Sequence, residues 1–252
     1  MKKLLALSIL PICLALTACS TTPPVDTNGE PVEHNVWDEL VKTHVSAEGN
    51  VSYKGFIADS LKLNRYLGVL SNNHPNHTWS KEDKLAYWIN AYNAFTVQLI
   101  IRNYPTESIK DLGGSLYKIN TPWDIRFIMI EGKDYDLNNI EHDILRKEFN
   151  EARIHFAVNC ASVSCPKLLN EAYQADKIYD QLDRVAREFI NNPKKNKITT
   201  EEAEVSKLFK WFSGDFEDQS GSVINFINQY SDTKLTEDTN IDYLDYDWGL
   251  NE

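Results

Sequence analysis

The sequence is poor in the residues that break or loosen a chain, with 10 glycines and 9 prolines in 252 residues. That excludes collagen-like and glycine-rich linker classes. Positive charge is also short: 26 Lys and Arg stand against 37 Asp and Glu, a formal net charge of −11. Non-specific nucleic-acid binding needs clustered Lys and Arg against phosphate, so nucleic acid is excluded as a partner class. No internal repeat appears. The apolar run at residues 4–16 is too short to cross a hydrocarbon core of about 30 Å as a helix. What is present is 42% apolar and 11% aromatic residues. That suits an ordinary buried core and argues against disorder along most of the length.

The N-terminus carries an address. Lys2 and Lys3 precede the apolar run, which ends Leu16-Thr17-Ala18-Cys19. A basic start, a short apolar stretch and small residues at the cut make a secretory signal peptide, residues 1–18. The ending is similar to a bacterial lipobox, in which Cys19 is lipidated and becomes the first mature residue. Lipid anchors a chain by burying methylenes at about 0.8 kcal/mol each. The expected partner is therefore a membrane, through lipid on Cys19. Serine follows Cys19 where inner-membrane retention commonly uses aspartate, so the expected home is the outer membrane, facing the periplasm. Residues 19–34 bury little and are expected to be a disordered tether.

From residue 35 to 252 the chain reads as one α+β domain, rich in helix around a small mixed or antiparallel sheet. Trp37, Leu40, Val41 and His44 sit at helical spacing, as do Leu63, Tyr66, Leu67 and Leu70. The strongest helix opens at Ser80, with Asp83 at capping-box spacing, and ends before Pro105. Asn90 and Asn93 lie one turn apart on it. Residues 127–137 suggest a hairpin around Glu131-Gly132-Lys133. Asn138 then suggests a cap, with Glu141 as its capping-box partner. Residues 153–159 (RIHFAVN) suggest a strand, and Pro166 the first turn of a helix.

Candidate chemistry concentrates between His155 and Pro166. Strand alternation places His155 and Asn159 on one face. Cys165 sits where a helix N-terminus would stabilise a thiolate. A thiolate beside an imidazole with an orienting group is the plan of cysteine hydrolases. The candidates are Cys165, His155 and Asn159, with Cys160, His142 and Glu141 as alternates and the loop N–H groups as an oxyanion hole. Three other readings stay open. Cys160 and Cys165 could pair as a disulfide in an oxidising compartment. They could join His155 at a metal, although no fourth ligand stands at a recognisable spacing. Asn90, Asn93, His155 and Asn159 could line a polar pocket for a peptide, glycan or envelope protein. No cofactor is called for. The acidic, aromatic stretch 242–248 lacks an EF-hand loop and reads as a solvated strand face.

Several blocks resemble the family known as domain of unknown function 547. They are residues 85–94 (LAYWINAYNA), Ile140-Glu141-His142 with Arg146, residues 153–166, Asp215-Phe216, and Tyr246-Asp247-Trp248. The likeness runs in order from about Trp37 to Asn251. Bacterial members look like exported lipoproteins, in keeping with the lipobox. The resemblance implies no assigned activity and carries over no catalytic residue. It leaves three readings: an envelope lipoprotein that binds through a polar pocket, a thiol hydrolase or acyl transferase of papain-like or transglutaminase-like type, and a purely structural lipoprotein.

Overall fold

A computed structural model describes residues 27–112 and 121–252. The signal peptide, Cys19 and the first part of the expected tether lie outside the described residues. Among the described residues, no helix is long and apolar enough to cross a membrane.

The architecture is α+β, as the patterning implied. Helices α1 (Asn35–His44), α2 (Tyr53–Ala58) and α3 (Ser60–Asn72) precede the long α4 (Lys81–Arg102). Ser80 caps α4 reciprocally: its hydroxyl accepts from Asp83 N at 3.0 Å, and Asp83 Oδ2 accepts from Ser80 N at 3.3 Å. Every residue of α4 from Leu85 to Ile100 is buried. A helix apolar on all sides belongs in the middle of a core, and α4 packs against α2, α3 and later elements. Each fully buried Leu, Ile or Phe there contributes about 1.5–3 kcal/mol.

The expected hairpin is present: β1 (Ile128–Ile130) pairs antiparallel with β2 (Lys133–Tyr135). Its turn places Glu131 at φ 47° and Gly132 at φ 76°, the left-handed pair that a tight hairpin requires. A π-helix, Asn139–Leu145, runs straight into α5 (Arg146–Phe149). Its cap differs from expectation. Asp136 Oδ1 accepts from Asn139 N at 2.7 Å, and Asn139 Oδ1 from Asp136 N at 3.3 Å. The cap therefore forms two residues earlier, Asn138 is already helical, and Glu141 is released from a capping role.

Residues 153–159 are not a strand. Ala152–Phe156 is a 3₁₀ helix. Its buried aromatic Phe156 stacks on a Phe cluster instead of pairing an edge, with Phe209, Phe216 and Phe226 centroids about it at 5.9, 5.9 and 6.1 Å. No helix starts at Pro166 either; residues 166–174 are irregular. The amphipathic α6 (Ile178–Ile190) then packs on the 3₁₀ segment. A three-stranded sheet closes the fold. In it β3 (Lys197–Ile198) pairs antiparallel with β4 (Glu202–Val205), and β4 pairs parallel with β5 (Asn240–Tyr243). Between β4 and β5 lie α7 (Leu208–Trp211), α8 (Ser213–Ser220) and α9 (Val223–Tyr230).

The domain begins earlier than residue 35. Thr27 N donates to Asn73 Oδ1 at 2.8 Å, and Trp79 Nε1 donates to the Gly29 carbonyl at 2.7 Å. Val32 and His34 are buried, with His34 Nδ1 2.7 Å from the Tyr66 hydroxyl. From Thr27 onward the expected tether is thus laid onto the domain by two side chains with buried partners. The C-terminal residues also behave differently from a solvated strand. After β5, residues 246–251 lie across the cysteine loop. Gly249 and Asp247 carbonyls accept from Val163 and Ser164 N at 2.8 and 3.1 Å, and Tyr53 Oη donates to Asn251 Oδ1 at 2.7 Å.

Candidate functional site

A cavity of about 310 Å³ lies where α4, the π-helix, the 3₁₀ turn, the end of α7 and the C-terminal segment meet. Cys160, Cys165, His142, His155 and Glu141 all line it. The two asparagines of α4 do not, and neither does Asn159.

Those asparagines serve backbone. Asn90 Nδ2 donates to the Tyr173 carbonyl at 2.8 Å and its Oδ1 accepts from Tyr173 N at 3.0 Å. Asn93 binds the Ala157 carbonyl at 2.9 Å and Asn159 N at 2.8 Å. Asn159 Nδ2 donates to the Pro166 carbonyl at 2.7 Å, and its Oδ1 accepts from Ala161 N at 2.9 Å. Buried backbone groups must be paired, and an irregular chain around a buried helix supplies few internal partners. The polar pocket expected from Asn90, Asn93, His155 and Asn159 is therefore not assembled. Three of its members clamp the cysteine loop and the chain after it. Asn159 is likewise no orienter for His155.

The orienter is Asp215, in the first turn of α8. Its Oδ2 accepts from His155 Nε2 at 2.7 Å. A carboxylate only accepts, so Nε2 carries the ring proton and Nδ1 keeps a lone pair. The ring is buried and lies 3.8 Å, centroid to centroid, on Phe212. Nδ1 has no hydrogen-bond partner. Burial holds the His155 pKa below its ordinary value, against the opposing pull of Asp215. Asp215 is itself clamped by Arg146, with Nε on Oδ2 at 2.6 Å and Nη2 on Oδ1 at 2.7 Å. Burial would raise its carboxyl, but the hydrogen bonds from Arg146 and His155 outweigh that and hold it far below the usual carboxylate range. His142 Nδ1 lies 3.2 Å from Arg146 Nη1, at the end of the same chain of contacts.

The thiols change rank. Cys165 is buried, is not at a helix start, and directs its sulfur at the Val158 carbonyl, 3.8 Å away. Burial, and then the neighbouring Cys160, push its pKa well above the ordinary thiol value. Cys160 is half-buried. Its Sγ lies 3.2 Å from the Ser162 hydroxyl and 3.4 Å from the Tyr246 hydroxyl. Burial alone would raise it, yet hydrogen bonds from Cys165, Ser162 and Tyr246 outweigh that and lower its pKa. The disulfide expected between the pair is not formed; both are free thiols, and Cys165 Sγ accepts from Cys160 N at 2.8 Å. Next to Cys160, Ala161 holds φ at 58°, a left-handed angle that costs a β-carbon energy. Such strain persists where surrounding bonds over-determine it, often at sites of function. Four of the loop amides are spent internally: Ala161, Val163, Ser164 and Cys165 N–H all have protein acceptors. Those four are not free to form the anticipated oxyanion hole, and the Ser162 and Tyr246 hydroxyls lie beside the sulfur.

Glu141 reaches the cavity from the π-helix, and Tyr92 from α4. Aromatic rings make much of the remaining wall. Tyr246 packs 4.7 Å from Trp211 and 4.5 Å from Trp248, and Trp123 lies 5.6 Å from Trp248. Among the described residues, no group of three His, Cys, Asp or Glu side chains is placed to hold a metal ion. Sequence reasoning missed the roles of Asp215, Tyr246, Trp211 and Phe212. Asp215 and Tyr246 stand in blocks of family resemblance, but nothing local tells that Asp215, 60 positions on, is brought onto His155.

The family model described as "Protein of unknown function, DUF547" matches residues 76–190. Over that stretch the chain is similar to the family. The match takes in α4, the π-helix, His155 and both cysteines, and stops short of Asp215 and Tyr246. No curated protein and no solved structure matches the chain.

Proposed function

We propose that this protein is a lipid-anchored envelope enzyme that cleaves or transfers an acyl group through Cys160, with His155 as base and Asp215 holding the ring. One observation carries the reading. The buried His155 has its proton fixed on Nε2 by Asp215, and its unpartnered Nδ1 belongs to a ring that lines the same cavity as Cys160. That is the base-and-orienter half of a nucleophilic triad.

In the reaction, Cys160 Sγ adds to the carbonyl carbon of an amide or ester, and His155 Nδ1 takes the thiol proton. The tetrahedral oxyanion collapses as the bond to the leaving group breaks, and Nδ1 returns the proton to that group. A thioester on Cys160 remains. Water or an acceptor amine then adds to it and loses a proton to Nδ1, and as the carbon–sulfur bond breaks Nδ1 returns that proton to sulfur, which restores the thiol. Asp215 stays ionised throughout, because Arg146 clamps it, and so stabilises the imidazolium. No hydrogen bond joins His155 to either sulfur; such contacts commonly tighten only with substrate bound.

The address rests on the sequence: Lys2, Lys3, the apolar run and Cys19 support a lipid anchor at the outer membrane, facing the periplasm. Envelope peptides and proteins are then the substrates within reach. A second reading, binding of a peptide or glycan without turnover, is favoured by the aromatic wall of Tyr246, Trp211 and Trp248. The purely structural reading expected no sizeable cavity, and one is present.

The test is trapping. The purified mature protein, incubated with a peptide thioester or activated ester, should gain the acyl mass on the peptide containing Cys160. His155→Ala should abolish the gain. Acylation absent from Cys160, or unchanged in His155→Ala, refutes the enzyme reading.

A further inference from the structure

We infer that the cavity selects a substrate group bearing a compact cation, a protonated primary amine on a short alkyl chain, seated between Glu141 and the aromatic wall. The inference deepens the reading above by naming the substrate's chemistry, and it rests on the same cavity being the substrate site.

The first argument is charge. Glu141 is 8% exposed. Burying a carboxylate is costly unless a cation or several donors compensate it. The buried Tyr92 shares the cavity lining with Glu141. Arg146 feels the charge of Glu141, but its Nε and Nη2 are already taken by Asp215 at 2.6 and 2.7 Å. Among the described residues, no ion pair reaches Glu141. Arg146 and Asp215 pair with each other, which leaves Glu141 without a charged partner among the described residues.

The second argument is the wall. Trp211, Tyr246 and Trp248 stand 4.5–5.9 Å apart, centroid to centroid. The negative face of an aromatic ring attracts a cation within about 6 Å. Rings lining the cavity already do so for the protein's own side chains: Lys110 Nζ sits 4.9 Å over Trp248, and Arg146 sits 5.2 Å over Phe212. An uncompensated carboxylate facing aromatic rings suits an ammonium better than an anion or a neutral sugar.

The third argument is size. At about 310 Å³ the cavity is at the lower end for small-molecule pockets. It takes one residue-sized group, such as a lysine-like side chain, and not a folded chain.

The probes are Nα-acetyl-lysine amide and its neutral Nε-acetylated form, titrated against tryptophan fluorescence and by calorimetry. Both the wild-type protein and Cys160→Ala are used, so binding is read apart from any acyl chemistry. The amine should bind at least about tenfold more tightly than the neutral form. Glu141→Gln, shown folded by circular dichroism, should remove that preference, and Glu141→Asp should retain part of it. Equal binding of the two probes, no binding of either, or a preference that survives in Glu141→Gln overturns the inference. Amine selectivity without acylation of Cys160 leaves this inference standing and refutes the enzyme reading alone. Acylation of Cys160 without amine selectivity does the reverse. If Glu141→Gln fails to fold, competition by tetramethylammonium in the wild type decides: displacement of the amine supports the inference, and its absence refutes it.

Discussion

His155 Nε2 lies 2.7 Å from Asp215 Oδ2, while Nδ1 of the same buried ring meets no partner. An imidazole pinned at one nitrogen and unpartnered at the other is arranged to move a proton. Replacing Asp215 with Asn keeps the shape but removes the charge that selects the tautomer and stabilises the imidazolium. Acyl-transfer turnover by Asp215→Asn is expected to fall by roughly 10²–10⁴-fold with a smaller change in KM. Steady-state kinetics on an activated ester measures it. A drop confined to KM would assign Asp215 to substrate binding instead.

Cys160 should react before Cys165. The first thiol is lowered by its hydrogen-bond donors, and the second is raised by burial. Iodoacetamide labelling read by peptide mass should modify Cys160 below pH 8.5 while Cys165 lags by at least tenfold. Tyr246→Phe deletes one hydrogen-bond partner of the sulfur, and the Cys160 labelling curve should then move to higher pH. If Cys165 labels first, the nucleophile has been misassigned.

Asn93 closes the loop that presents Cys160. Asn93→Ala leaves the Ala157 carbonyl and the Asn159 amide buried without this partner, at about 1–3 kcal/mol each. A loss of about 2–4 kcal/mol is expected in urea unfolding. A change under about 0.5 kcal/mol would mean that water or a shifted chain replaces both bonds.

His34 makes stability fall on acidification. Burial lowers its pKa to about 4, against a small opposing effect of Asp83. Between about 4 and the unfolded value of 6.5, the unfolded chain takes a proton that the folded ring refuses. Stability due to this group is therefore complete above pH 6.5 and is lost as pH falls to about 4, by up to about 3 kcal/mol. His34→Gln should flatten that part of the curve of unfolding free energy against pH. A wild-type curve that His34→Gln leaves unchanged would contradict the assignment.

Local pattern determined a good part of this protein. The Ser80–Asp83 capping box, the burial of α4, the hairpin at Glu131-Gly132 and the stripe of α6 follow from spacing and turn chemistry, which act within a few residues. Segment 153–159 was misread because Ile, Phe and Val suit a buried 3₁₀ turn against a Phe cluster as well as they suit a strand. Glu141 was misread because a cap two residues earlier used Asp136 and Asn139. Residues 27–34 looked free because their partners, Tyr66, Asn73 and Trp79, lie tens of residues away. The candidate nucleophile, base and acid-binding residues were visible as residue types, concentrated between Glu141 and Cys165. Their pairing was decided only by tertiary contacts. Asp215 comes from α8, Tyr246 and Trp248 from the C-terminal segment, and their positions depend on a core that spans the chain. Periodicity reports which face of an element is buried. It does not report which distant element will cover that face, and at this site the covering elements supply the orienting carboxylate, the thiol's donors and the aromatic wall.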